Sequence, residues 1–481
     1  MQRRCVRRAL AMNTRSPNIL WIMCDQLRHD CTGFAGHELV QTPNLDTLAS
    51  QGVVFENAYC ASPVCSPARA SWLTGLYPHR NGQLDNYSHD LVDEPGRVLH
   101  HDCITIGDVL KDHGYRCGIA GPWHLGHDHM PQHGLTDFWC TYSYQGKHPD
   151  RLNKYFNQHG INDMYGRGVP DHHEHVQYMR HAAWTDPRQQ RTTWTVDRSI
   201  EFLEDCDDQP FFLFASIKDP HPVMIVPPDL LNLYPLESIP LDPTWRDPLK
   251  GKPRYQFEGK TRVASSVRDR DFLCMMAHYY ALITHIDEQV GRLLKYLDQT
   301  SRSENTIVVF MSDHGEMLGS HGFVSKRLMY ENSVKVPCVI HWPAGLPKNQ
   351  RIRTPLGGVD LMPTLLNLAG QPVNEKIDGR SVAEAICSKR EPTLQPIFSE
   401  ISYNKACGPE NAETAMVLDG NFKYVWHRDD LDELYNLEDD PLEMANLAGH
   451  SEQENKIDMM RGTFKDMLQR NGAGPYAWCT Q

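Results

Sequence analysis

Residues 18–26 read NILWIMCDQ, and this stretch decides the fold class of the chain. The run from Ile19 to Cys24 is apolar throughout and ends abruptly at Asp25 and Gln26. A continuous apolar run, unlike an alternating one, is typical of a strand that is buried on both faces. The stretch therefore predicts a central sheet strand with a carboxylate and an amide at its carboxyl end.

Other apolar runs end in polar residues in the same way. They are RCGIAG before PWHLG, PFFLFASI before KDPHP, TIVVFM before SDHGE, and VPCVIHW before Pro343. Helical patterns lie between the runs: TPNLDTLASQG, TIGDVLKDHG, TVDRSIEFLED and DFLCMMAHYYALITHIDEQVGRLLKYLDQ. This alternation predicts an α/β fold, with a large, mostly parallel sheet sandwiched by helices.

The pattern changes after about Ser388. TAMVLDGNFKYVWHR and DELYNLEDDP are typical of short antiparallel strands joined by a turn. We therefore expect a catalytic α/β domain over residues 16–388 and a smaller C-terminal α+β subdomain over 389–481. Residues 142–195 and 222–270 fit neither pattern, and we interpret them as long insertions over the catalytic edge.

Polar side chains follow four of the predicted strands at the point where each strand ends. In open α/β sheets, ligands bind beyond the carboxyl ends of the strands. If the four strands are neighbours in the sheet, their carboxylate, amide and imidazole groups would form one site. The residues concerned are Asp25, Gln26, His124, His221, Asp313 and His314.

The stretch CSPARASWLTG, residues 65–75, predicts a helix. Ser66 can cap it, Pro67 suits its first position and Gly75 can end it. Cys65 would then lie at the positive end of a helix dipole, where anions bind. Two interpretations stay open at this point: a small residue in a turn, or a nucleophile that faces an anionic substrate.

The bulk composition excludes some classes of function. The chain has 481 residues and a formal net charge of −13, which argues against a nucleic-acid-binding protein. No apolar run is long enough to span a bilayer, so we expect no membrane association. The basic N-terminus lacks the apolar segment of a secretory signal, and the 14 cysteines include no CxxC pair. We therefore expect a cytoplasmic protein with mostly reduced thiols.

CSPARASWLTG resembles the C/S-x-P-x-R signature of the type I, formylglycine-dependent sulfatases of the alkaline-phosphatase-like superfamily. The resemblance covers about residues 16–450, with the landmarks in the family's order. The further stretches that carry it are PNILWIMCDQLRHD, TPNLDTLASQGVVFENAYCASPVC, SDHGEMLGSHGFVSKRLMYENSVKVPCVIHWP, VDLMPTLLNLAG and ELYNLEDDPLEMANLAG.

The resemblance implies a role for each matching residue. A separate maturation enzyme would oxidise Cys65 to formylglycine, an aldehyde. Arg69 and His124 would support this nucleophile, and His221 and Lys326 would contact the charged group or the leaving oxygen of the substrate. The implied ligands of one divalent metal ion are Asp25, Gln26, Asp313, His314 and the formylglycine oxygen at position 65.

The implied chemistry explains the use of an aldehyde. Its hydrate carries two hydroxyls, one of which attacks sulfur and displaces the alcohol. The second hydroxyl can then be deprotonated, so that the adduct collapses and expels sulfate. The implied ligands are mostly hard oxygen donors, which suit Ca²⁺, Mg²⁺ or Mn²⁺. We expect Ca²⁺, because the family more often carries it, with Mn²⁺ or Mg²⁺ as alternatives.

The sequence departs from the family at two positions. Pro122, in GPWHLG, stands where the family usually has a lysine, so a cation is missing. Arg28, Lys218 and Arg327 are candidates to replace it, by sequence neighbourhood only. Gln26 follows Asp25 where a second aspartate is commoner, as in the choline-sulfatase and phosphonate-hydrolase branches.

Three candidate functions are compatible with these observations. The first is a sulfuric ester hydrolase that acts on a small-molecule or saccharide sulfate ester. The second is a formylglycine-dependent phosphonate monoester or phosphodiester hydrolase, and the third is a binding protein that has lost activity. The intact Cys65, Pro67 and Arg69 argue against the third. Trp184 and Trp194, with Trp245, would suit stacking on sugar rings and equally ordinary packing; oligomeric state is not readable from the sequence.

Overall fold

The structure is a computed structural model that describes residues 16–88, 93–128, 130–141, 152, 155, 181–183, 190–258, 261–402, 413–472 and 474–480. Trp184, most of the insertion expected at 142–195 and the N-terminal basic segment lie outside the described residues.

Three sheets contain all the strands of the described residues. The nine-stranded sheet has the order β10-β2-β9-β8-β1-β6-β3-β4, with β11 paired to β2; the others are β12-β13-β14-β15 and β5-β7. The strands are β1 Asn18–Asp25, β2 Val53–Tyr59, β3 Arg116–Ala120, β4 Asp137–Trp139, β5 His181–Ala183, β6 Phe211–Pro220, β7 Met224–Val226, β8 Thr306–Ser312, β9 Lys335–His341, β10 Gln350–Ile352, β11 Leu356–Gly357, β12 Ile397–Ile401, β13 Thr414–Asp419, β14 Phe422–His427 and β15 Glu433–Asn436.

Helices cover both faces of the large sheet. The α-helices are α1 Pro43–Gln51, α2 Cys65–Thr74, α3 Pro78–Asn81, α4 Ile106–Asp112, α5 Arg191–Asp205, α6 Pro228–Leu231, α7 Arg254–Glu258, α8 Asp269–Gln299, α9 Glu331–Val334, α10 Leu361–Leu368, α11 Ala383–Cys387 and α12 Glu454–Asn471. Short 3₁₀ helices occur at Gly33–Ala35, Leu236–Ser238, Ser303–Asn305, Ser320–Gly322, Ser451–Gln453 and Gly474–Thr480.

The strands that the sequence predicted to carry the site are neighbours. Strands β8, β1, β6 and β3 lie side by side and run parallel to one another, so their carboxyl ends meet at one edge. Their side chains are almost wholly buried, as continuous apolar runs require. The predicted α/β class is confirmed, with one refinement: β9 runs antiparallel to both β2 and β8.

Two apolar clusters occupy the two faces of the large sheet. Alternate residues of β1 point to opposite sides, so Trp21 belongs to one cluster and Ile22 to the other. The long helix α8 packs on the second face, where 18 of its residues are buried. The strands that end at the site are therefore packed between apolar side chains on both faces.

The predicted C-terminal antiparallel strands are present in a four-stranded sheet. Helix α12 packs against this sheet in a third apolar cluster. The boundary drawn near residue 388 stays a prediction. Within the described residues, no helix combines the length and apolar character needed to cross a membrane. None of the 12 cysteines among them forms a disulfide bond.

Two of the three tryptophans considered for sugar stacking are packed into the protein. Trp194 lies in α5 and is 2% exposed, and Trp245 is equally buried. The ring of Trp245 stacks on Phe272 with the ring centroids 4.1 Å apart. The packing interpretation therefore holds for both residues.

Candidate functional site

Helix α2 brings Cys65 to the carboxyl edge of the large sheet. The helix begins at Cys65 itself, two residues earlier than the sequence predicted, and ends at Thr74; Gly75, with a φ of 69°, caps its C-terminus. Ser66 does not cap it; the Ser66 hydroxyl donates to the carbonyl of His124 at 2.5 Å. Cys65 is 1% exposed, so its sulfur lies at a buried helix N-terminus that favours negative charge.

Four potential metal ligands include this sulfur. One donor atom from each residue lies within 4.8 Å of the others, and all the residues are buried. The Cys65 Sγ lies 3.1 Å from His314 Nε2 and 3.6 Å from Asp25 Oδ1. The four residues are Asp25, Cys65, Asp313 and His314, all of them predicted from the sequence.

The donor set fits a divalent cation. Asp25 and Asp313 are both fully buried, and burial together with the Asp25 carboxylate raises the pKa of Asp313. A cation between two such carboxylates would relieve their repulsion. Two carboxylates and one imidazole are mostly hard donors, which suit Ca²⁺, Mn²⁺ or Mg²⁺. Which ion binds stays a prediction.

His314 is held in a defined orientation. Its Nδ1 lies 2.9 Å from the carbonyl oxygen of Gly315, an acceptor, so Nδ1 carries a proton and Nε2 is the nitrogen that faces the cluster. Gly315 is required here, because a Cβ at this position would lie 2.1 Å from the carbonyl oxygen of Asn332. The SDHG sequence thus delivers both ligands in a fixed orientation.

Arg69 lies behind the carboxylates, one turn into α2. Its Nε donates to Asp313 at 2.9 Å and one terminal nitrogen donates to Asp25 at 3.3 Å. The other terminal nitrogen donates to the Pro122 carbonyl and to the Ser216 hydroxyl, at 2.9 and 2.8 Å. The fully buried guanidinium therefore orients both acids, which supports its predicted role beside the nucleophile.

Of the three cations considered in place of the family lysine, Lys218 is the one that contacts Asp25, a predicted metal ligand. Its Nζ donates to Asp25 Oδ2 at 2.8 Å, and the residue is 6% exposed. Arg28 instead pairs with Asp30 and Asp242, and Arg327 pairs with Asp85. Pro122 keeps a structural task, since its carbonyl accepts the hydrogen bond from Arg69.

Lys326 and Gln26 form a contact at the same edge. The Lys326 ammonium donates to Gln26 Oε1, and the Gln26 amide nitrogen donates to Glu316. Gln26 has a φ of 72°, and Ser325 and Arg327 on either side of Lys326 have φ values of 75° and 72°. Left-handed backbone at non-glycine residues is strained and clusters at functional sites.

The electrostatics of the site favour anions. Burial and the Asp25 carboxylate both oppose ionisation of the Cys65 thiol. The Lys326 ammonium and His314 outweigh them, with a hydrogen bond to His124, and hold the thiol pKa well below its usual range. The Asp25 pKa is also well below its usual range: burial opposes this, but Lys218 and other nearby cations prevail.

His221 lies in the loop that follows β6. Burial and the Lys218 and Lys326 ammonium groups lower its pKa well below the usual range. Its Nδ1 lies 2.6 Å from the Pro222 carbonyl and donates to it. A histidine usually titrates near neutral pH, but the His221 imidazole is neutral in the substrate-free protein because its pKa is lowered.

Sequence reasoning did not assign three residues that hold the site together. Glu316 contacts Gln26, Ser216 contacts Arg69, and Arg191 contacts the loop that carries His221. Glu316 lies inside the quoted stretch SDHGE, so its carboxylate was visible there. Nothing in the sequence places Ser216 or Arg191 beside the site. All the predicted site residues lie at this edge, while their catalytic roles stay predictions.

Comparison with known proteins agrees with this geometry. The family model described as sulfatase matches residues 17–371, and a model described as N-sulphoglucosamine sulphohydrolase, C-terminal, matches residues 319–470. The chain is 30% identical to an arylsulfatase of Clostridium perfringens over 473 residues, which is 92% of this chain and 93% of that protein.

Solved structures share the fold. One is a protein solved in complex with its substrate, D-glucosamine-2-N,6-O-disulfate. Its structure matches with a TM-score of 0.78 and 21% sequence identity, and the match covers 96% of this chain and 100% of that protein. The phosphonate monoester hydrolase of Agrobacterium radiobacter has a TM-score of 0.76, 23% identity and coverage of 95% and 96%. Since the family model covers most of the sequence, the chain belongs to the sulfatase family, in the alkaline-phosphatase-like superfamily, and is a hydrolase.

Proposed function

We propose that the protein hydrolyses a sulfate monoester through a formylglycine that a maturation enzyme makes from Cys65. The observation that carries the proposal is the position of the Cys65 sulfur. It lies at a helix N-terminus and within reach of Asp25 and His314, with one donor atom of Asp313 in the same small cluster. A cysteine kept only for packing has no need of such charged neighbours.

We propose one divalent metal ion in this cluster. Asp25, Asp313 and His314 would hold it together with the Gln26 amide oxygen and the oxygen at position 65. When bound, the metal acidifies the attacking hydroxyl and stabilises negative charge on the transferred group. Ca²⁺ is the proposed ion, and Mn²⁺ and Mg²⁺ would fit the same donors.

The cations of the chain would bind the sulfate group. Lys218 contacts Asp25 and Lys326 contacts Gln26, so both ammonium groups flank the cluster. Each can direct a charge-assisted hydrogen bond to a sulfate oxygen. Because Lys218 supplies a cation beside Asp25, the proline at position 122 does not imply an inactive relative.

His221 would protonate the leaving alcohol. The negative charge of a bound sulfate ester favours the imidazolium form of His221. Binding of the substrate would therefore raise the His221 pKa, which is low in the substrate-free protein. His124, which forms a hydrogen bond to Cys65, would hold the proton of the group at position 65. Both roles rest on the family resemblance and on the position of these side chains.

A sulfated carbohydrate is the substrate class that we propose. The solved structure with D-glucosamine-2-N,6-O-disulfate has the same fold, and the C-terminal match is to an N-sulphoglucosamine sulphohydrolase. Trp194 and Trp245 do not contribute to the proposal, because both are buried. Recognition of the sugar would rest on polar side chains instead.

A phosphonate monoester or phosphodiester hydrolase is the second candidate. By the resemblance, phosphonate monoester hydrolases also lack a lysine at position 122, and they carry the Asp–Gln pair of positions 25 and 26, which choline sulfatases share. The transferred groups are similar tetrahedral anions, so the same site could bind either. The fold likeness to a phosphonate monoester hydrolase is compatible with this activity.

The test compares the two substrate classes on one preparation. The protein is produced together with a formylglycine-generating enzyme, and kcat/KM is measured for nitrophenyl sulfate and for nitrophenyl phenylphosphonate. We expect the sulfate to be preferred by at least about tenfold, and Cys65→Ala to abolish both activities. A preference for the phosphonate would establish the second candidate, and no hydrolysis of either by matured protein would contradict both.

A further inference from the structure

Gln26 lies between two groups of opposite charge. Its Nε2 donates to Glu316 Oε2, and its Oε1 accepts from the Lys326 ammonium. Gln26 and Glu316 are fully buried and Lys326 is 5% exposed, so water does not compete for these contacts. A buried amide between a carboxylate and an ammonium group has only one satisfactory orientation.

The chemistry of the neighbours fixes which end of the amide is which. A carboxylate only accepts hydrogen bonds, so it must face the NH₂ group of Gln26. An ammonium group only donates, so it must face the carbonyl oxygen. The reverse orientation would set a carboxylate against an oxygen and an ammonium against an NH₂. The orientation of the Gln26 amide therefore follows from the hydrogen-bonding capacity of its two neighbours.

We propose that Glu316 is a positioning residue that presents the oxygen of Gln26, and not its nitrogen, to the metal site. The inference rests on the proposed function, in which that oxygen is a metal ligand. A metal ion requires a lone pair, which an amide NH₂ does not offer. Glu316 thus decides whether Gln26 can serve as a ligand at all, without contacting the metal.

The same carboxylate also holds the loop that carries Lys326. Glu316 Oε1 accepts from the backbone nitrogen of Leu318 at 3.0 Å and of Ser325 at 2.6 Å. One oxygen therefore ties down the residue before Lys326, while the other orients Gln26. Glutamine at position 316 could keep the two backbone contacts through its oxygen and would change only the group that faces Gln26.

Because the two oxygens of Glu316 have separate partners, exchanging Gln and Glu between positions 26 and 316 tests the inference without changing the total charge. In Glu316→Gln, two NH₂ groups meet, or Gln26 flips and turns its NH₂ towards Lys326. In Gln26→Glu, two carboxylates meet and repel each other. In the double variant Gln26→Glu/Glu316→Gln, the new carboxylate accepts from the new amide and still faces Lys326. Glu316→Gln should therefore harm the wild-type protein and help the variant that already carries Gln26→Glu.

The experiment is a calorimetric titration of the unmatured protein with CaCl₂, repeated with MnCl₂, together with a measurement of Tm. We expect Glu316→Gln to weaken metal binding by about tenfold or more in the wild-type background. In the Gln26→Glu background, we expect the same substitution to strengthen binding. A merely structural role for Glu316 would give the same sign in both backgrounds.

Asp287→Asn is the matched control for loss of a buried carboxylate. Asp287 accepts from the backbone nitrogens of Asn44 and Leu45, away from the metal cluster. We expect this variant to lower Tm and to leave metal affinity unchanged. If Asp287→Asn weakens metal binding as much as Glu316→Gln, the inference is wrong, because the effect is then a general one.

Gln26→Ala separates failure of this inference from failure of the proposed function. If Gln26→Ala weakens metal binding and Glu316→Gln does not, Glu316 has no positioning role and the proposed ligand set stands. If neither variant changes the affinity, Gln26 is not a ligand and both proposals are contradicted on this point. A wild-type protein that binds neither ion contradicts the proposed metal site and this inference with it.

Discussion

Lys218 supplies a cation at the edge of the sheet where Pro122 stands in place of the usual family lysine. The proline removes a cation from the loop after β3, and the lysine at the end of β6 brings one to Asp25 at 2.8 Å. Strands β3 and β6 are neighbours in the sheet, so the two positions lie at the same edge. The neighbouring strand can therefore supply a cation although position 122 has none.

His221 is the residue whose role depends most on the substrate. A sugar alcohol is a poor leaving group and needs a proton, whereas nitrophenolate hardly does. We therefore expect His221→Ala to lower kcat/KM for an alkyl or sugar sulfate at least about tenfold more than for nitrophenyl sulfate. Steady-state kinetics on the two substrates checks this. Equal losses of kcat/KM on both substrates would indicate a binding role for His221 and would contradict its role as the acid that protonates the leaving alcohol.

The first turn of α5 holds the end of β6, which carries Lys218, and the following loop, which carries His221. Arg191 Nε donates to Asp219 at 2.6 Å, and a terminal nitrogen donates to the carbonyls of His221 and, at 3.3 Å, Val223. Thr192 donates to the other oxygen of Asp219 at 2.5 Å. A helix from one face of the sheet thus fixes the backbone on both sides of His221.

Arg191→Met should loosen this loop. We expect kcat/KM for a sugar sulfate to fall by about tenfold or more, because a small displacement of an acid lowers its efficiency. In the His221→Ala background the same substitution should cost much less, since the group that it positions is already absent. The four enzymes are compared by their kcat/KM values on one substrate.

Arg198→Met is the control for this prediction. Arg198 lies on the same helix and pairs with Glu201, which is partly exposed. We expect its removal to leave kcat/KM within about twofold of wild type, because such surface pairs contribute little. Fully additive losses for Arg191→Met and His221→Ala would contradict the positioning role of Arg191.

The strands and most of the site were readable from the sequence, because burial on both faces leaves a continuous apolar run. The antiparallel direction of β9 could not be predicted, since hydrophobic periodicity is the same for parallel and antiparallel strands. The choice of Lys218 over Arg28 and Arg327 also needed the structure. All three are cations near site motifs in sequence, but only distances show that two of them pair with acids elsewhere.

The C-terminal sheet is joined to the large domain through buried polar contacts. His79 of α3 pairs with Glu400 of β12: Nδ1 lies 2.8 Å from Oε2, and the backbone nitrogen donates to Oε1 at 2.7 Å. Lys423 of β14 likewise pairs with Glu331, which begins α9. These contacts fix the small sheet against the elements that carry the site.

The His79–Glu400 pair should make stability depend on pH. Burial lowers the pKa of His79, but the Glu400 carboxylate outweighs it, and Asp378 helps, so the pKa lies above its usual range. Arg80 opposes the shift. A raised histidine pKa stabilises the fold fully below the unfolded value of about 6.5, and this stabilisation is lost as pH rises through the folded value.

Glu400→Gln should therefore cost more stability below about pH 6.5 than at about pH 9. Urea unfolding of wild type and variant at several pH values measures the difference in the free energy of unfolding. Glu413→Gln is the control, because Glu413 pairs with Arg428, which does not titrate in this range. A difference between wild type and Glu400→Gln that does not change with pH would contradict a charged His79.

The central claim is that Cys65 becomes the catalytic aldehyde of a sulfatase. Mass spectrometry of the peptide that contains residue 65, from protein produced with a formylglycine-generating enzyme, tests it most directly. The account predicts a mass about 18 Da below that of the cysteine peptide, in proportion to the sulfatase activity of each preparation. A preparation that hydrolyses sulfate esters at full rate with Cys65 unmodified would contradict it.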